Sequence, residues 1–326
     1  MQNLAIFGAG QIGKQTKKLV EEKYFNEYKL IYFVDNNPAK QGSLIENTPI
    51  ISAEKLLELY GKEIDCVAYA LQKSYEVNDF LIQHKIIPIS ITSTGIYPLV
   101  NKIENTERFC PICQKTSSYF DLFGVNPRQD ALCLHCGSLE RHRLLYIFLK
   151  EKMDFFSNQS KKMLHIAPEP CLEVLFKKTI GEYVSADLYN PNVMVKMDIM
   201  DIQYENETFD IIYCSHVLEH VSDDRKAMRE FFRVLKKDGW AVLNVPIIRD
   251  KTYEDPSITE PEEREKAFGL SDHVRAYGPD YADRLREAGF SVTIIYAKDL
   301  LNESDIERMG LSNGAAGEIF YLTPNA

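Results

Sequence analysis

Four of the seven cysteines stand in two Cys-x-x-Cys pairs, Cys110 with Cys113 and Cys133 with Cys136, and 19 residues separate the pairs. Each pair can turn two sulphur atoms toward one ion, and four thiolates satisfy the tetrahedral coordination of Zn2+. Because four protein ligands leave no position open on the ion, we predict a structural zinc site rather than a catalytic one. His135, inside the second pair, is a less favoured substitute ligand.

Polar residues stand where several apolar runs end in the second half of the chain. Ligands of open parallel sheets bind beyond the carboxyl ends of the strands, so these residues are candidates for a binding site. Asp187 and Asp198 end successive runs, which suits a ligand with a ribose and a polar base. Histidines titrate near neutral pH, and the candidate general bases are His216, His220 and His273. The competing interpretation of His220 is that, with Glu219, it fixes a loop.

A glycine turn near the N-terminus has the spacing of a phosphate-binding loop. Gly8, Gly10 and Gly13 follow the short apolar run of residues 3–7 and open a segment with helical spacing. In that context glycines let the backbone approach a phosphate at the helix N-terminus. Asp35 ends the next apolar run, 22 residues after Gly13, where a carboxylate can accept hydrogen bonds from a ribose. We predict a nucleotide site here, and the alternative is a Rossmann-like domain kept only for assembly.

The elements that must position these residues alternate between strands and helices. In the first hundred residues, further strands are predicted in IDCVAYAL and KIIPISIT, with a helix over 73–84, which indicates a small parallel sheet. Tyr69 and Lys73 match a Tyr-x-x-x-Lys pattern, but Tyr69 ends a predicted strand, so we interpret the match as chance.

The second half shows the same alternation and predicts a doubly wound, mostly parallel sheet. Its best-marked helix is predicted over 223–237, with Ser222 as N-cap and Gly239 just past the end. Another amphipathic helix is predicted over 138–152, with an exposed basic cluster of Arg141, His142 and Arg143. The acidic segment 251–272 is predicted to be an exposed lid or, equally, a solvated insertion.

From about residue 160 the sequence resembles the class I S-adenosylmethionine-dependent methyltransferases, in particular their small-molecule, type 11-like branch. The stretches that carry the resemblance are SADL, KMDIMD, FDIIYCSHVLEHV, EFFRVLKKDGWAVLNVP and FGLSDHVRAYGPDYADRLREAGF. The resemblance implies that Asp187 holds the cofactor ribose and that Asp198 and Ile199 receive its adenine. His165, Ala167 and Ser215, at the ends of the first and fourth strands, are the further cofactor-binding residues that it implies.

One stretch departs from the family pattern. The family's first strand usually ends in a glycine-rich loop, whereas this chain has LHIAPEP, without glycine. Ala167 and Pro168 would make a close approach of the backbone to the methionine part of the cofactor harder. Glu169 is the candidate to bind the cofactor's ammonium group instead.

FGAGQIG and FVDNNP resemble the small nucleotide-binding domains that precede the catalytic part in bacterial surface-sugar enzymes. This resemblance implies a nucleotide or nucleotide-linked sugar as ligand, and NAD, a nucleotide-sugar and no ligand all remain open. The predicted domains are therefore a Rossmann-like nucleotide-binding domain over 1–100, a zinc ribbon with a linking helix over 101–150, and a methyltransferase domain over 151–326. The fold class is α/β, with two Rossmann-like doubly wound sheets joined by the ribbon.

Composition limits the partners. The chain has 38 Lys and Arg against 48 Asp and Glu, a net charge of −10, which disfavours nucleic acid as a partner. No window is apolar for the roughly 20 residues that a membrane span requires, and no targeting segment opens the chain, so we expect a cytoplasmic protein without membrane insertion. Its oligomeric state is left open.

These observations favour a methyltransferase that uses S-adenosyl-L-methionine on a small molecule, with a sugar or nucleotide-linked sugar as the specific expectation. Two alternatives stay open. An RNA methyltransferase is one, because a four-cysteine module before a methyltransferase domain also resembles some ribosomal RNA enzymes. The other is a non-catalytic nucleotide-binding protein whose first loop no longer holds the cofactor.

Overall fold

The computed structural model describes residues 1–69, 77, 80–81, 84–86, 88–91, 96–98, 107–124, 128–153, 155–157, 160–312 and 314–325. Its contacts divide the chain into two compact units, one of residues 1–108 with 116–135 and one of residues 109–115 with 136–326. The helix predicted over 73–84, and Lys73 with it, lies mostly outside the described residues. None of the described helices is long and apolar enough to cross a membrane.

The first unit contains a seven-stranded, mostly parallel sheet. Its elements are β1 (Gln2–Phe7), α1 (Gln11–Lys23), β2 (Tyr28–Val34), β3 (Leu44–Ile45), β4 (Thr48–Ile51), α2 (Ala53–Leu59), β5 (Cys66–Tyr69), β6 (Ile89–Ile91) and β7 (Ile96–Pro98). The strand order is β3-β4-β2-β1-β5-β6-β7, and only the outer pairs, β3 with β4 and β6 with β7, are antiparallel. The last four residues of the central strand β1 are buried, as its apolar run predicts.

Short strands carry the cysteine segment: β8 (Arg108–Cys110), β9 (Lys115–Ser117), β10 (Asp121–Phe123) and β11 (Arg128–Leu132). β8 lies beside β9 in one two-stranded sheet, and β10 lies beside β11 in another. Arg108 donates to both carboxylate oxygens of Asp130, at 3.1 and 2.8 Å, and this bidentate pair links the first strand of the segment to the last.

The second unit contains another seven-stranded sheet. Its helices are α3 (Glu140–Glu151), α4 (Pro170–Thr179), α5 (Asp224–Val234), α6 (Pro261–Phe268), α7 (Tyr281–Glu287) and α8 (Glu303–Arg308), with 3-10 turns at Leu218–His220, Ala297–Asp299 and Gly314–Ala316. Its strands are β12 (Lys162–Ile166), β13 (Glu182–Asp187), β14 (Val195–Lys196), β15 (Phe209–Ser215), β16 (Leu235–Asn244), β17 (Tyr253–Glu254), β18 (Arg275–Ala276), β19 (Phe290–Ile295) and β20 (Ile319–Pro324).

The strand order of this sheet fixes where a ligand can bind. It runs β14-β13-β12-β15-β16-β20-β19, and β20 pairs antiparallel with β16 and with β19, whereas the other pairs are parallel. The chain moves outward from β12 through β13 to β14 and then returns to the other side of β12 with β15. Such a reversal of strand order opens a crevice at the carboxyl ends of the two central strands. The mixed α/β fold with parallel sheets confirms the predicted fold class at that level.

The helix predicted over 223–237 is shorter than its sequence pattern. It begins after Asp223, whose carboxylate accepts from the Lys226 N–H and so takes the N-cap role predicted for Ser222. It ends at Val234 because its last carbonyls accept hydrogen bonds from another segment. The Arg233 carbonyl accepts from the Glu207 N–H, and the Val234 carbonyl accepts from the Thr208 N–H. Residues 236–239 then bulge out of β16, since Phe209 pairs with Leu235 but Ile211 pairs with Trp240.

The predicted exposed basic cluster on α3 is wrong for two of its three residues. His142 and Arg143 are buried, and only Arg141 is partly exposed. The Arg143 guanidinium donates to the carbonyls of Ser138, Met309 and Gly310, which bond several of its buried N–H groups. The apolar side of α3, including Leu144, packs into the core beneath β12, β15 and β16 as predicted.

Candidate functional site

The four predicted zinc ligands come together. The sulphur atoms of Cys110, Cys113, Cys133 and Cys136 lie within 4.8 Å of one another. Cys110 Sγ and Cys136 Sγ are 3.6 Å apart, close to the roughly 3.8 Å that tetrahedral coordination with Zn–S bonds of about 2.3 Å requires. Burial, followed by the neighbouring cysteines, raises the pKa of Cys113 to about 12, and a bound cation would favour the ionised form of this thiol. The cluster is compatible with zinc.

A buried serine supports this cluster. Ser138 Oγ lies 3.2 Å from Cys110 Sγ and 3.3 Å from Cys136 Sγ. A hydroxyl at that distance can donate to a thiolate and hold its orientation, as outer partners of metal ligands commonly do. The sequence analysis missed Ser138, although its position two residues after Cys136 was the available signal.

The glycine loop, residues 8–13, leads from β1 into α1 as predicted. Gly8 has a φ of 113°, and a Cβ on Gly13 would lie 1.9 Å from the Gly8 carbonyl oxygen, so both positions require glycine. A Cβ on Gly10 would meet no heavy atom within 4 Å, and Gly10 caps α1 without a side chain. Two of the three glycines therefore serve the packing of helix on strand, and the third leaves room beside the helix N-terminus.

Asp35 follows β2 but already has several partners. Its carboxylate accepts from the N–H groups of Ala9 and Asn37 and from Lys40 Nζ, the last at 2.9 Å. Burial raises the pKa of Asp35, but the hydrogen bonds from Lys40 and from the backbone outweigh burial and lower it overall. A ribose would share this carboxylate with Lys40, and the nucleotide site stays a prediction.

A cavity of about 550 Å3 lies at the carboxyl ends of β12, β13 and β15, where the strand order reverses. We call it the strand-end cavity. Six predicted site residues line it: Ala167, Asp187, Asp198, Ile199, His216 and His220. Other lining residues were missed by sequence reasoning, and of these Leu188 and Tyr189 directly follow Asp187, while Arg264 and Asp272 belong to the acidic segment 251–272.

The alanine loop, residues 166–169, has the conformation that a glycine would normally supply. Ala167 has a φ of 48°, in the left-handed region that residues with a Cβ seldom occupy. The Ala167 N–H donates to the Ala186 carbonyl, which continues the pairing of β12 with β13 past the strand end. His216, after β15, has a φ of 56°, and its N–H donates to Asn244 O. Backbone strain held in place by such bonds is typical of functional sites.

The two predicted carboxylates line the cavity, and one oxygen of each already accepts hydrogen bonds from the backbone. Asp187 Oδ1 accepts from the N–H groups of Tyr189 and Asn190, at 2.6 and 2.8 Å, and this shapes the loop after β13. Asp198 Oδ1 accepts from the Met200 N–H at 2.8 Å. In each residue one oxygen organises the loop, and the other is the candidate acceptor for a ligand hydroxyl or amine.

Three of the predicted cofactor residues do not line the cavity. Ser215 is buried at the end of β15. His165 is fully buried, with Nδ1 2.8 Å from the Tyr183 hydroxyl and Nε2 3.1 Å from Glu169 Oε2. Glu169 Oε1 lies 3.3 Å from His142 Nε2.

Glu169 therefore lies in a buried cluster with two histidines of this unit. Burial raises the pKa of Glu169, but the hydrogen bond with His165 and the nearby His142 ring outweigh burial and hold the pKa well below its usual range. The carboxylate stays ionised and ties the alanine loop to α3, which gives it a positioning role in this structure. Its predicted contact with a cofactor ammonium group would need Glu169 to share these partners.

The three predicted general bases lie close together. His216 Nδ1 is 3.5 Å from Glu219 Oε1, and His220 Nδ1 is 3.3 Å from Asp272 Oδ2. The rings of His220 and His273 meet edge to face at 4.7 Å. His273 is buried and does not line the cavity, and burial lowers its pKa. His216 and His220 are both partly exposed and are the two that reach the cavity.

Comparison with known proteins identifies a domain in the second unit. Residues 171–243, less than a quarter of the chain, match a family described as a methyltransferase domain. They extend from α4 to the end of β16 and include β13, β14 and β15.

Two curated proteins are similar over part of the chain. The human protein named arginine-hydroxylase NDUFAF5, mitochondrial, is 26% identical over 164 residues, which is 44% of this chain and 47% of that protein. The uncharacterized methyltransferase YcgJ of Bacillus subtilis is 41% identical over 59 residues, which is 18% of this chain and 22% of that protein. The chain thus spans about half or less of the length of these relatives.

Solved structures show low overall similarity. YcgJ from Bacillus subtilis is 17% identical with a TM-score of 0.36, and the match covers 57% of this chain and 99% of that chain. A 1,6-didemethyltoxoflavin-N1-methyltransferase from Burkholderia thailandensis is 14% identical with a TM-score of 0.40, over 57% of this chain and 79% of that chain. The match of residues 171–243 to a methyltransferase domain leaves the substrate unspecified.

Proposed function

We propose that the second unit binds S-adenosyl-L-methionine in the strand-end cavity and transfers its methyl group to a small-molecule acceptor. The observation that carries the proposal is the joint presence of Asp187, Asp198 and Ile199 on one cavity at the reversal of strand order. The methyltransferase family match, which covers all three residues, supports it.

The residues of the cavity suggest how the reaction would be assisted. When bound, the cofactor supplies a methyl group on a positively charged sulphur, which retains the electron pair of the broken bond as the acceptor bonds to carbon. Asp187 would bind the ribose and Asp198 with Ile199 the adenine, which aligns donor and acceptor. His216, paired with Glu219 and exposed to the cavity, would accept the proton that the acceptor loses.

Calorimetric titration with S-adenosylhomocysteine tests this proposal. Asp187→Asn keeps an oxygen for the loop N–H groups but removes the charge, so we expect binding to weaken about 10- to 100-fold while the fold is retained. Asp238→Ala is the matched control, because Asp238 is exposed near the start of β16, at the opposite end of the sheet. Equal affinity of Asp187→Asn and wild type would contradict the assigned site.

The acceptor is proposed to be a sugar or a nucleotide-linked sugar, on the resemblance of the N-terminal region to surface-sugar enzymes. A search would measure release of S-adenosylhomocysteine with nucleotide-sugars, free sugars and RNA as acceptors. Turnover with RNA alone would favour the RNA methyltransferase instead. Cofactor binding without turnover on any acceptor would favour a binding protein or another reaction, such as the hydroxylation named for the human relative.

Two further ligands are proposed for the rest of the chain. We infer that the four-cysteine cluster holds a structural zinc ion, on its sulphur distances and on Ser138 beside it. For the glycine loop, a nucleotide such as NAD or a nucleotide-sugar stays the proposal, supported by the space at Gly10 beside the N-terminus of α1.

A further inference from the structure

Two histidines and one glutamate converge beside the strand-end cavity. Glu219 and His220 belong to the 3-10 turn after β15, and His273 lies just before β18. One ligand atom from each of these three side chains lies within 4.8 Å of the other two. The Val274 N–H donates to the Glu219 carbonyl at 2.9 Å and holds the two chain segments together. We call these three residues the histidine cluster.

The hydrogen bonds of His273 leave one ring nitrogen available as a ligand. Its Nδ1 is 3.1 Å from the Phe268 carbonyl, which can only accept, so Nδ1 carries the proton. In the neutral ring Nε2 then keeps its lone pair. A bond from Nδ1–H to a backbone carbonyl is a common way to orient a metal-binding histidine.

Glu219 supplies a carboxylate oxygen that the described protein leaves unsatisfied. The side chain is about 2% exposed, and its Oε2 has no hydrogen-bond partner, while Oε1 faces His216 Nδ1 at 3.5 Å. An ionised oxygen is costly to bury without a partner. A cation shared with the two histidines would remove that cost.

His220 joins the cluster to the cavity. It lines the cavity, and its Nδ1 lies 3.3 Å from Asp272 Oδ2, which also lines it. A carboxylate on one ring nitrogen orients the other nitrogen toward a metal and increases the basicity of the ligand. Asp272 would hold His220 in this way, as the Phe268 carbonyl holds His273.

We propose that Glu219, His220 and His273 bind one divalent transition-metal ion at the edge of the strand-end cavity. Two imidazoles and one carboxylate suit Fe2+, Co2+ or Zn2+, and three protein ligands leave coordination positions open. Because His220 faces the cavity, those positions would take oxygen atoms of the acceptor, which favours an acceptor with two adjacent hydroxyl or carboxylate oxygens. This last step rests on the proposed methyl transfer, whereas the metal site itself does not.

Cobalt titration tests the metal site apart from turnover. The full chain is stripped with a chelator, given one equivalent of Zn2+ for the cysteine cluster, and titrated with Co2+ while absorption and bound metal are measured. We expect one equivalent of Co2+ with the weak absorption of nitrogen and oxygen ligands, without the intense charge-transfer band that thiolate ligands produce. Uptake of no Co2+ beyond the cysteine cluster would overturn the proposal.

Variants then assign the ligands. Binding of the Co2+ equivalent should be abolished in each of the variants Glu219→Gln, His220→Gln and His273→Gln. In Asp272→Asn the affinity for this Co2+ should fall about tenfold. His220→Gln is the decisive variant, because the His220 ring is partly exposed and its replacement should destabilise the fold least. His84→Gln, at an exposed histidine of the first unit, should bind as wild type does. If folded His220→Gln still bound the Co2+ equivalent, the assignment of His220 as a metal ligand would be overturned.

The same samples separate this inference from the proposed function. S-adenosylhomocysteine is titrated into protein with and without Co2+. Metal uptake without cofactor binding would support the metal site and reject the methyltransferase proposal. Binding of S-adenosylhomocysteine without metal uptake by the wild type would support the methyltransferase proposal and reject the metal site.

Discussion

In each of the two large sheets, one central strand is followed by a residue with positive φ, Gly8 at 113° after β1 and Ala167 at 48° after β12, although the two loops differ in glycine content. The glycine loop contains three glycines, of which Gly8 and Gly13 are required by backbone conformation or packing. The alanine loop contains none, yet Ala167 takes the left-handed conformation, and a cavity of about 550 Å3 opens beside it. The comparison teaches that the spacing of glycines reflects how a helix packs on a strand. Whether a cavity for a ligand forms depends on the side chains at the ends of the neighbouring strands.

The largest effect that would test this comparison is at Gly13. Gly13→Ala places a methyl group 1.9 Å from the Gly8 carbonyl oxygen, so α1 must move away from β1, and we expect a loss of about 3 kcal/mol in the free energy of unfolding. Gly10→Ala, with open space at its Cβ, should cost less than about 1 kcal/mol. Urea unfolding of the full chain measures both, and equal costs would show that Gly13 has no special packing role.

Ala167 tests the other loop. Ala167→Val places a β-branched residue at positive φ, and we expect a loss of about 2 kcal/mol in stability with weaker binding of S-adenosylhomocysteine. Ala167→Gly relieves the strain and should raise stability by up to about 1 kcal/mol, because that relief exceeds the added freedom of the unfolded chain. Thermal unfolding and calorimetry measure the two quantities. A destabilising glycine would mean that the loop is unstrained.

Acid pH tests how the segment beside the strand-end cavity is anchored. Burial raises the pKa of Glu254, but hydrogen bonds from Arg284 and Arg275 outweigh burial and lower it to about 2. Since the pKa is lower in the folded state, Glu254 stabilises the fold above about pH 4.3 and loses this effect as pH falls toward 2.

Glu254→Gln should therefore cost about 1 kcal/mol at pH 7, a figure reduced for the partial exposure of the side chain, and almost nothing near pH 2. Urea unfolding over this pH range compares the variant with wild type. A difference that stays constant with pH would exclude an ionic contribution from Glu254.

The smallest effect concerns Asp35. Lys40→Ala frees the carboxylate from a partly exposed ion pair, so a nucleotide with a ribose diol should bind up to about fivefold more tightly. Titration with NAD and with a nucleotide-sugar measures this, with the exposed Lys62→Ala as control. Weaker binding in Lys40→Ala would instead show that Lys40 contacts the ligand.

The sequence predicted the parts of the site that depend on order along the chain. The positions of Asp187, Asp198 and His216 at strand ends follow from alternation of apolar and polar runs, and the structure places all three on one cavity. The cysteine cluster follows from its spacing alone. Such local patterns determine which residues stand at the end of an element.

Contacts between distant segments were not visible in the sequence. Glu169 was assigned to a ligand because it follows a strand, but His142 of α3 reaches it from outside the sheet. The end of α5 was placed three residues too late, because the Thr208 N–H that bonds the Val234 carbonyl lies in a distant segment, directly before β15. The conformation of Ala167 is likewise held by a bond to Ala186 of a different strand.

The burial of Arg143 bears on how this protein could be divided or recombined. Its guanidinium joins carbonyls beside the second cysteine pair, at Ser138, to carbonyls near the C-terminus, at Met309 and Gly310. A fragment that began at residue 151 would lose α3 and leave the Met309 and Gly310 carbonyls and the apolar face beneath the sheet open to water. During gene rearrangement, α3 and the sheet of the second unit would have to be inherited as one piece.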